Sequence, residues 1–196
     1  MLLSLLSMDD SVEQKMLEHE AEIVARAKKD DDAFEILYNF YFPKIYGYVF
    51  KRVGNHAVAE DIVSETFLKV CAHLPKYEHR GHTFGAWVYR IATNNLTDYY
   101  RKQSRHKETE LTPEGVGGVP EEPGYDHIQA VENRTAVEAV LKNLSKRYAN
   151  ILHLKFFADL SVSEISEALG ISENNSRVLL HRALKKFRSE YEKALL

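Results

Sequence analysis

Arg90, Asn94, Thr97 and Arg101 recur at steps of four, three and four within Phe84–Arg105, FGAWVYRIATNNLTDYYRKQSR. At helical spacing they share one face. Guanidinium, amide and hydroxyl groups with one nearby carboxylate, Asp98, are suited to holding phosphate oxygens and base edges rather than to making or breaking bonds. Trp87, Tyr89, Tyr99 and Tyr100 add aromatic surfaces on which unpaired bases could stack. The opposite face carries Phe84, Val88, Ile91, Ala92, Asn95 and Tyr99 toward a core. An ordinary amphipathic helix with a solvated polar face has the same pattern, so the stretch gains weight only from the rest of the chain.

A second binding pattern lies near the C-terminus. Ser161–Phe187 reads SVSEISEALGISENNSRVLLHRALKKF. Ser161 or Ser163 can cap a short helix containing Ile165, Ala168 and Leu169. Gly170 supplies the positive φ needed after it, and Ser172 caps the next helix with Glu173 in its first turn. Leu180, Ala183, Leu184 and Phe187 are the expected buried side of that helix. Asn174, Asn175, Arg177, His181, Arg182, Lys185 and Lys186 are left for its outer side. A short helix, a glycine turn and a basic helix form a helix-turn-helix whose second helix fits the major groove. A helical hairpin with a basic surface is the bland alternative.

Reactive chemistry is scarce. No phosphate-binding glycine loop or dinucleotide fingerprint is present. Cys71, His73, His79 and His82, a C-x-H followed by H-x-x-H, are zinc-type ligand residues on a helix end and a loop, and metal binding there is the lesser reading. The residues therefore assign no catalytic group, no cofactor and no metal.

These side chains need helices to carry them. Val12–Lys29 reads as a weak helix, and Asp30–Asp32 offers a cap to the next. Phe34, Leu37, Tyr38, Tyr41 and Phe42 repeat at helical spacing, and Pro43 can open a continuing helix, Lys44–Val53, that Gly54-Asn55 ends. His56–Leu74 buries Ile62, Val63, Thr66, Phe67 and Val70, and Pro75 stops it. Asp61, Glu65 and Lys69 line a neighbouring face, which is either solvated or an acidic ridge for a basic partner. From His106 to about His127, glycines, prolines and glutamates replace the pattern, as in a flexible acidic linker. Ile128–Asn143 and Ser145–Phe157 resume it, with Val131, Val137, Val140, Leu141 and Leu144, then Tyr148, Ile151, Leu152 and Leu154. The expected fold is all-α: two small helical domains joined by that linker, the second containing the helix-turn-helix.

The chain has 196 residues and a net charge of −3, so overall charge does not mark a nucleic-acid binder. Its distribution does, with basic clusters at Arg101–Lys107 and Arg177–Arg188. The single cysteine excludes an intrachain disulfide. No apolar run approaches the roughly 20 residues of a membrane span. The start, MLLSLLSMDD, reads as a leader or as an early start codon with Met8 the true start. A cytoplasmic protein without membrane insertion is expected.

Three stretches in this order resemble the extracytoplasmic-function class of bacterial RNA polymerase sigma factors. Ala59–Val70, AEDIVSETFLKV, resembles the region-two helix that docks on the β′ subunit. Phe84–Arg105 resembles the helices that melt and read the −10 element. Ser161–Phe187 resembles the region-four helix-turn-helix that reads the −35 element. The resemblance implies a leader and weak helix over 1–29, region two over 30–106, a linker over 107–127 and region four over 128–196. It implies core polymerase contacts, through β′ and β, at Asp61, Ser64, Glu65 and Lys69. It implies −10 contacts at Tyr77, Arg80 and His82 in the loop before the polar helix, and at Trp87, Arg90, Asn94, Thr97 and Arg101. It implies −35 contacts at Ser172, Asn174, Asn175, Arg177, His181, Arg182, Lys185 and Lys186. Partners would be core polymerase, promoter DNA and an anti-sigma factor. Ser64 stands where glutamine is usual, Ser176 where valine commonly packs, and Leu179 where arginine is frequent. A free-standing helix-turn-helix regulator is the alternative, but it needs a sensor or dimer surface rather than a docking helix.

Overall fold

Asp30 accepts hydrogen bonds from the backbone N–H groups of Asp32 (3.1 Å) and Ala33 (3.5 Å), and from this cap helix α2 runs unbroken over Asp31–Val53. Pro43 lies inside it, so the expected start of a new helix at Lys44 does not occur. Proline removes one N–H and crowds the preceding turn. Here Asn39, whose carbonyl loses that partner, and Pro43 itself are both exposed, so water can serve the freed group. Burial of Leu37, Tyr41, Ile45, Tyr48 and Val49 holds the two halves in line.

The computed structural model describes residues 14–79, 81–107 and 137–194. The expected leader and most of the expected linker lie outside them, although the helix before the linker continues through Lys107. The described residues are mostly helical, with no strand among them. Residues 14–18 and α1 (Glu20–Ala27) precede α2, separated by a turn at His19 where one helix was expected. Gly54, at φ 65°, ends α2, and Asn55 caps α3 (His56–His73) by accepting from Val58 N–H at 3.1 Å. Pro75 sits in a 3-10 turn, Leu74–Lys76, that stops α3. Helix α4 spans Phe84–Lys107. After a helical segment at 137–143 come α5 (Lys146–Phe156), α6 (Val162–Leu169) and α7 (Glu173–Ala194).

Helices α1 to α4 enclose one core. Met16, Val24 and Ala27 bury from the N-terminal segment, Ile62, Val63, Phe67 and Val70 from α3, and Phe84, Val88, Tyr89, Ala92 and Leu96 from α4. A buried polar chain ties α3 to α4. Asn95 Nδ2 donates to Thr66 Oγ1 (2.9 Å), Thr66 donates to the Ile62 carbonyl (2.7 Å), and Lys69 Nζ donates to Asn95 Oδ1 (2.5 Å). Every member has a partner, the condition under which buried polar groups stabilise rather than cost.

Helices α5 to α7 bury Ile151, Leu152, Leu154, Ile165, Ala168, Leu179 and Ala183. The two helical groups touch. The Tyr48 hydroxyl donates to Asn150 Oδ1 at 2.6 Å and shares a hydrogen bond with Thr93 Oγ1 at 2.9 Å, while Arg52 donates to the Lys146 carbonyl at 3.2 Å.

Gly85, in the first turn of α4, permits the close approach of α2. A Cβ there would lie 2.8 Å from Tyr41 Cε1 and 2.9 Å from its hydroxyl oxygen. Tyr41 is buried and donates to Glu20, so its ring has nowhere to go. Gly85→Ala is expected to destabilise the fold by about 1–3 kcal/mol, the usual range for overpacking. Chemical denaturation of the two proteins measures it, and equal midpoints would show that the ring gives way.

Candidate nucleic-acid interface

Local chemistry builds the helix-turn-helix as the sequence predicts. Ser161 and not Ser163 is the cap of α6. Its Oγ accepts from Glu164 N–H (3.2 Å), and its own N–H donates to Glu164 Oε2 (2.8 Å), closing a capping box. Burial pushes the Glu164 carboxyl up, but hydrogen bonds from Thr83 and Ser161 outweigh it and hold it below the usual range. Gly170, at φ 64°, donates to the Glu167 carbonyl and turns the chain. Ser172 Oγ then accepts from Asn175 N–H (3.3 Å) and starts α7.

The rotation of α7 differs from expectation. Ser176, Leu179 and Ala183 are buried, Leu180 and Phe187 half-buried, and Leu184 is 39% exposed. Apolar residues at 178, 179, 180, 183 and 184 leave the buried face ambiguous, because one residue turns a helix by 100°. Leu179, read as a departure from the family pattern on the DNA side, is therefore core. Ser172, Asn174, Asn175, Arg177, His181, Arg182, Lys185 and Lys186 are all exposed. Val178 joins them at 42% exposure, beside Asn174 and His181 one turn away on either side. Sequence reasoning missed it, although an apolar side chain there can meet a thymine methyl. Arg177 pairs with Glu173 and Lys186 with Glu190, each at 2.7 Å. Such solvated pairs are weak and yield readily to phosphate.

On α4 the polar face is as expected: Arg90, Asn94, Thr97 and Arg101 are exposed. Thr97 donates to the Thr93 carbonyl (2.8 Å), and Arg101 pairs with Asp98 (3.1 Å). The aromatic residues divide. Tyr89 is buried, its ring against Tyr48 at 5.4 Å, and offers no stacking surface. Tyr100 donates to the Arg52 carbonyl (2.5 Å) with Lys146 Nζ 3.7 Å over its ring. Trp87 is half-buried, packed on Tyr77 (4.8 Å) and Phe84 (5.4 Å). Tyr77, expected in the loop as a −10 contact, thus leans on the core. Burial first, then the Glu20 and Glu167 carboxylates, push its hydroxyl up to about 12. Arg80 lies outside the described residues.

Helix α6 lies against this face. Arg90 Nη1 meets Glu167 Oε1 at 2.7 Å, His82 Nε2 is 3.9 Å from Glu167 Oε2, and Thr83 donates to Glu164 Oε1 at 2.6 Å. DNA engaging Arg90 must replace Glu167 as its partner.

Helix α3 presents a third face, with Asp61, Ser64 and Glu65 exposed. Leu68, 70% exposed, stands among them, an apolar contact point that the charge pattern did not single out. Lys69 is different: half-buried, it bonds Asn95 and pairs with Glu65 at 2.7 Å, so its charge is used within the fold. Cys71, His73, His79 and His82 do not converge. Among the described residues no three His, Cys, Asp or Glu side chains are placed to hold a metal. Among them, too, no helix is long and apolar enough to cross a membrane.

Two family models match the chain: Sigma-70 region 2 over residues 37–106 and Sigma-70 region 4 over residues 134–187. The chain is 33% identical over 167 residues to the ECF RNA polymerase sigma factor BldN of Streptomyces coelicolor, covering 84% of this chain and 62% of that protein's length. It is 32% identical over 158 residues to the RNA polymerase sigma factor YlaC of Bacillus subtilis, covering 79% of this chain and 90% of the relative. Two solved structures share the fold at a TM-score of 0.66. One is the sigma factor RpoE with the anti-sigma factor NepR from Bartonella quintana, at 20% identity, covering 81% of this chain and 96% of that one. The other is CnrH with the cytosolic domain of CnrY, at 18% identity, covering 89% and 97%.

Proposed function

This chain belongs to the extracytoplasmic-function class of RNA polymerase sigma factors, and we propose accordingly that it binds core RNA polymerase, directs it to specific promoters and promotes DNA melting. The observation that carries this is one chain with three different exposed faces in the order such a factor needs. An acidic face with an apolar knob lies on α3, a polar and cationic face on α4, and a basic recognition face on α7.

In this reading residues 30–106 act as region two and 128–196 as region four, joined by 107–127. Asp61, Ser64, Glu65 and Leu68 meet the β′ subunit, Lys69 supports them from within, and region four reaches β. Asn94, Thr97, Arg101 and Arg90 line the melted −10 strand, with Trp87, His82 and Tyr77 around the loop that receives it; the family resemblance assigns Arg80 the same role. An exposed base has to leave the stack to be read, so a loop and an adjoining polar helix are suitable receivers. Asn174, Asn175, Arg177, Val178 and His181 face −35 base edges, while Ser172, Arg182, Lys185 and Lys186 hold phosphates.

The polymerase makes the phosphodiester bonds, and this chain supplies no catalytic group. A cytoplasmic site of action follows from that partner. The solved RpoE structure in complex with the anti-sigma factor NepR supports the same kind of partner here, masking the DNA and polymerase faces when the factor is idle.

Run-off transcription with purified core polymerase, on templates drawn from the host's own upstream regions, tests the function. Discrete transcripts that need both core and this chain are expected. No added transcript, with sequence-specific duplex binding by a dimer of the chain alone, would establish the free-standing regulator instead.

A further inference from the structure

Glu20 and Lys28 stand eight residues apart on and just after α1, outside the segment that the region 2 model matches. Eight residues are little more than two helical turns, so the two side chains lie on neighbouring faces about 12 Å apart along the axis. They reach the two ends of one loop. Lys28 Nζ donates to the Tyr77 carbonyl at 2.6 Å, where the 3-10 turn after α3 releases the chain. Glu20 Oε2 accepts from the Phe84 N–H at 2.9 Å, where α4 begins. Its other oxygen accepts from the buried Tyr41 hydroxyl. Glu20 is 7% exposed, and both carboxylate oxygens are engaged. Its charge also suits the N-terminus of a 24-residue helix.

We infer that α1 is a positioning element for strand capture, with Glu20 and Lys28 fixing Phe84 and Tyr77, the residues on either side of the stretch proposed to receive the −10 strand. This rests on the proposed −10 role of that loop and of α4.

The remaining contacts fit a clamp rather than general packing. The Tyr77 ring lies edge-on to Phe84 (5.4 Å, 90°) and against Trp87 (4.8 Å), so the entry and exit of the loop also meet through their side chains. Between α1 and the loop is a cleft of about 150 Å³ lined by Val24, Lys28, Tyr77, His79 and Phe84 among others. Side-chain packing therefore leaves room under the loop, and the ammonium–carbonyl bond spans the gap. Lys28 is half-buried, which strengthens a charged hydrogen bond relative to one in open water. Flanking residues fixed beforehand do not have to be fixed by the DNA, so losing the clamp lowers selectivity more than it lowers stability. Lys28 and Glu20 touch no DNA in this arrangement; they act through Tyr77 and Phe84.

The test uses the full chain with core polymerase and short duplexes bearing a −35 element and a single-stranded −10 tail. The tails form a panel with each base at each −10 position. Lys28→Met keeps the methylene stem and removes the ammonium. It is expected to reduce the ratio between best and worst tails by about tenfold, one decade of affinity, with Lys28→Arg restoring most of it. Thermal midpoint and affinity for a duplex carrying only the −35 element should stay at wild-type values. Glu20→Gln, which keeps an acceptor for Phe84, should act in the same direction but less. If Lys28→Met keeps full discrimination while Asn94→Ala loses it, the clamp is wrong and the strand reading survives. If Lys28→Met lowers the thermal midpoint and all DNA affinities together, α1 is structural only and the inference is overturned. If Asn94→Ala also keeps full discrimination, the strand reading itself fails, and the clamp fails with it.

Discussion

Replacing Asp61 and Glu65 together by lysine is expected to abolish retention of the chain on core polymerase. Both side chains are exposed on α3, and neither belongs to its buried stripe of Ile62, Val63, Thr66, Phe67 and Val70. Helicity and thermal midpoint should therefore stay close to wild type. Coupling between close charges across an interface is worth about 1.5–7 kcal/mol. Two reversals turn attraction into repulsion, so a loss of at least about a hundredfold follows, enough to empty a pull-down. Glu65→Lys also removes the partner of Lys69, but Lys69 keeps its bond to Asn95, which limits damage to the fold. Leu68→Ala should weaken the same capture by a smaller step, because an apolar residue this exposed gains burial only in a complex. Unchanged retention of the double reversal would move the docking face elsewhere.

The second large effect belongs to α7. Arg177→Ala is expected to cost about 1–3 kcal/mol on the best −35 duplex and to relax the preference at one position, if it makes a two-pronged contact with a guanine. Its present partner, Glu173, is a solvated carboxylate and offers little resistance to that exchange. Lys186→Ala should weaken binding to every sequence alike and reduce the dependence of log affinity on log salt by about one unit, as loss of a phosphate contact does. Titrations of both variants against the best duplex and a scrambled one, at several salt concentrations, separate the two roles. A uniform loss from both would show that Arg177 holds backbone rather than bases. Val178 is exposed beside these residues, and its replacement by serine is expected to affect thymine-containing sites selectively.

What the sequence by itself determined was local. Asp30 and Ser172 cap helices because a short polar side chain folds back onto the next N–H groups, whatever surrounds it. Gly54 and Gly170 end helices because a residue without Cβ turns left-handed at little cost. The outward set on α4 was equally legible, since charged and amide groups at helical spacing rarely have anywhere else to go. Three such stretches in a fixed order sufficed to place the family.

Tertiary packing decided the residues that can face either way. Tyr89 was as plausible a stacking surface as Tyr99 until Tyr48 of α2 covered it. Leu179 and Leu184 exchanged roles because the apolar run on α7 fits two rotations, and contact with α5 and α6 selects one. Pro43 was absorbed because the buried side of α2 is continuous across it. Lys69 turned inward because Asn95, 26 residues away, leaves an amide oxygen to satisfy. Glu20 places a carboxylate among the buried residues Met16, Val24 and Ala27. Its burial is stable only because Tyr41 and Phe84 bring two donors to it from 21 and 64 residues away. Periodicity along the chain registers which side of a helix is apolar. Whether a buried polar group finds its partner depends on contacts distant in sequence, and those exist only once the helices have met.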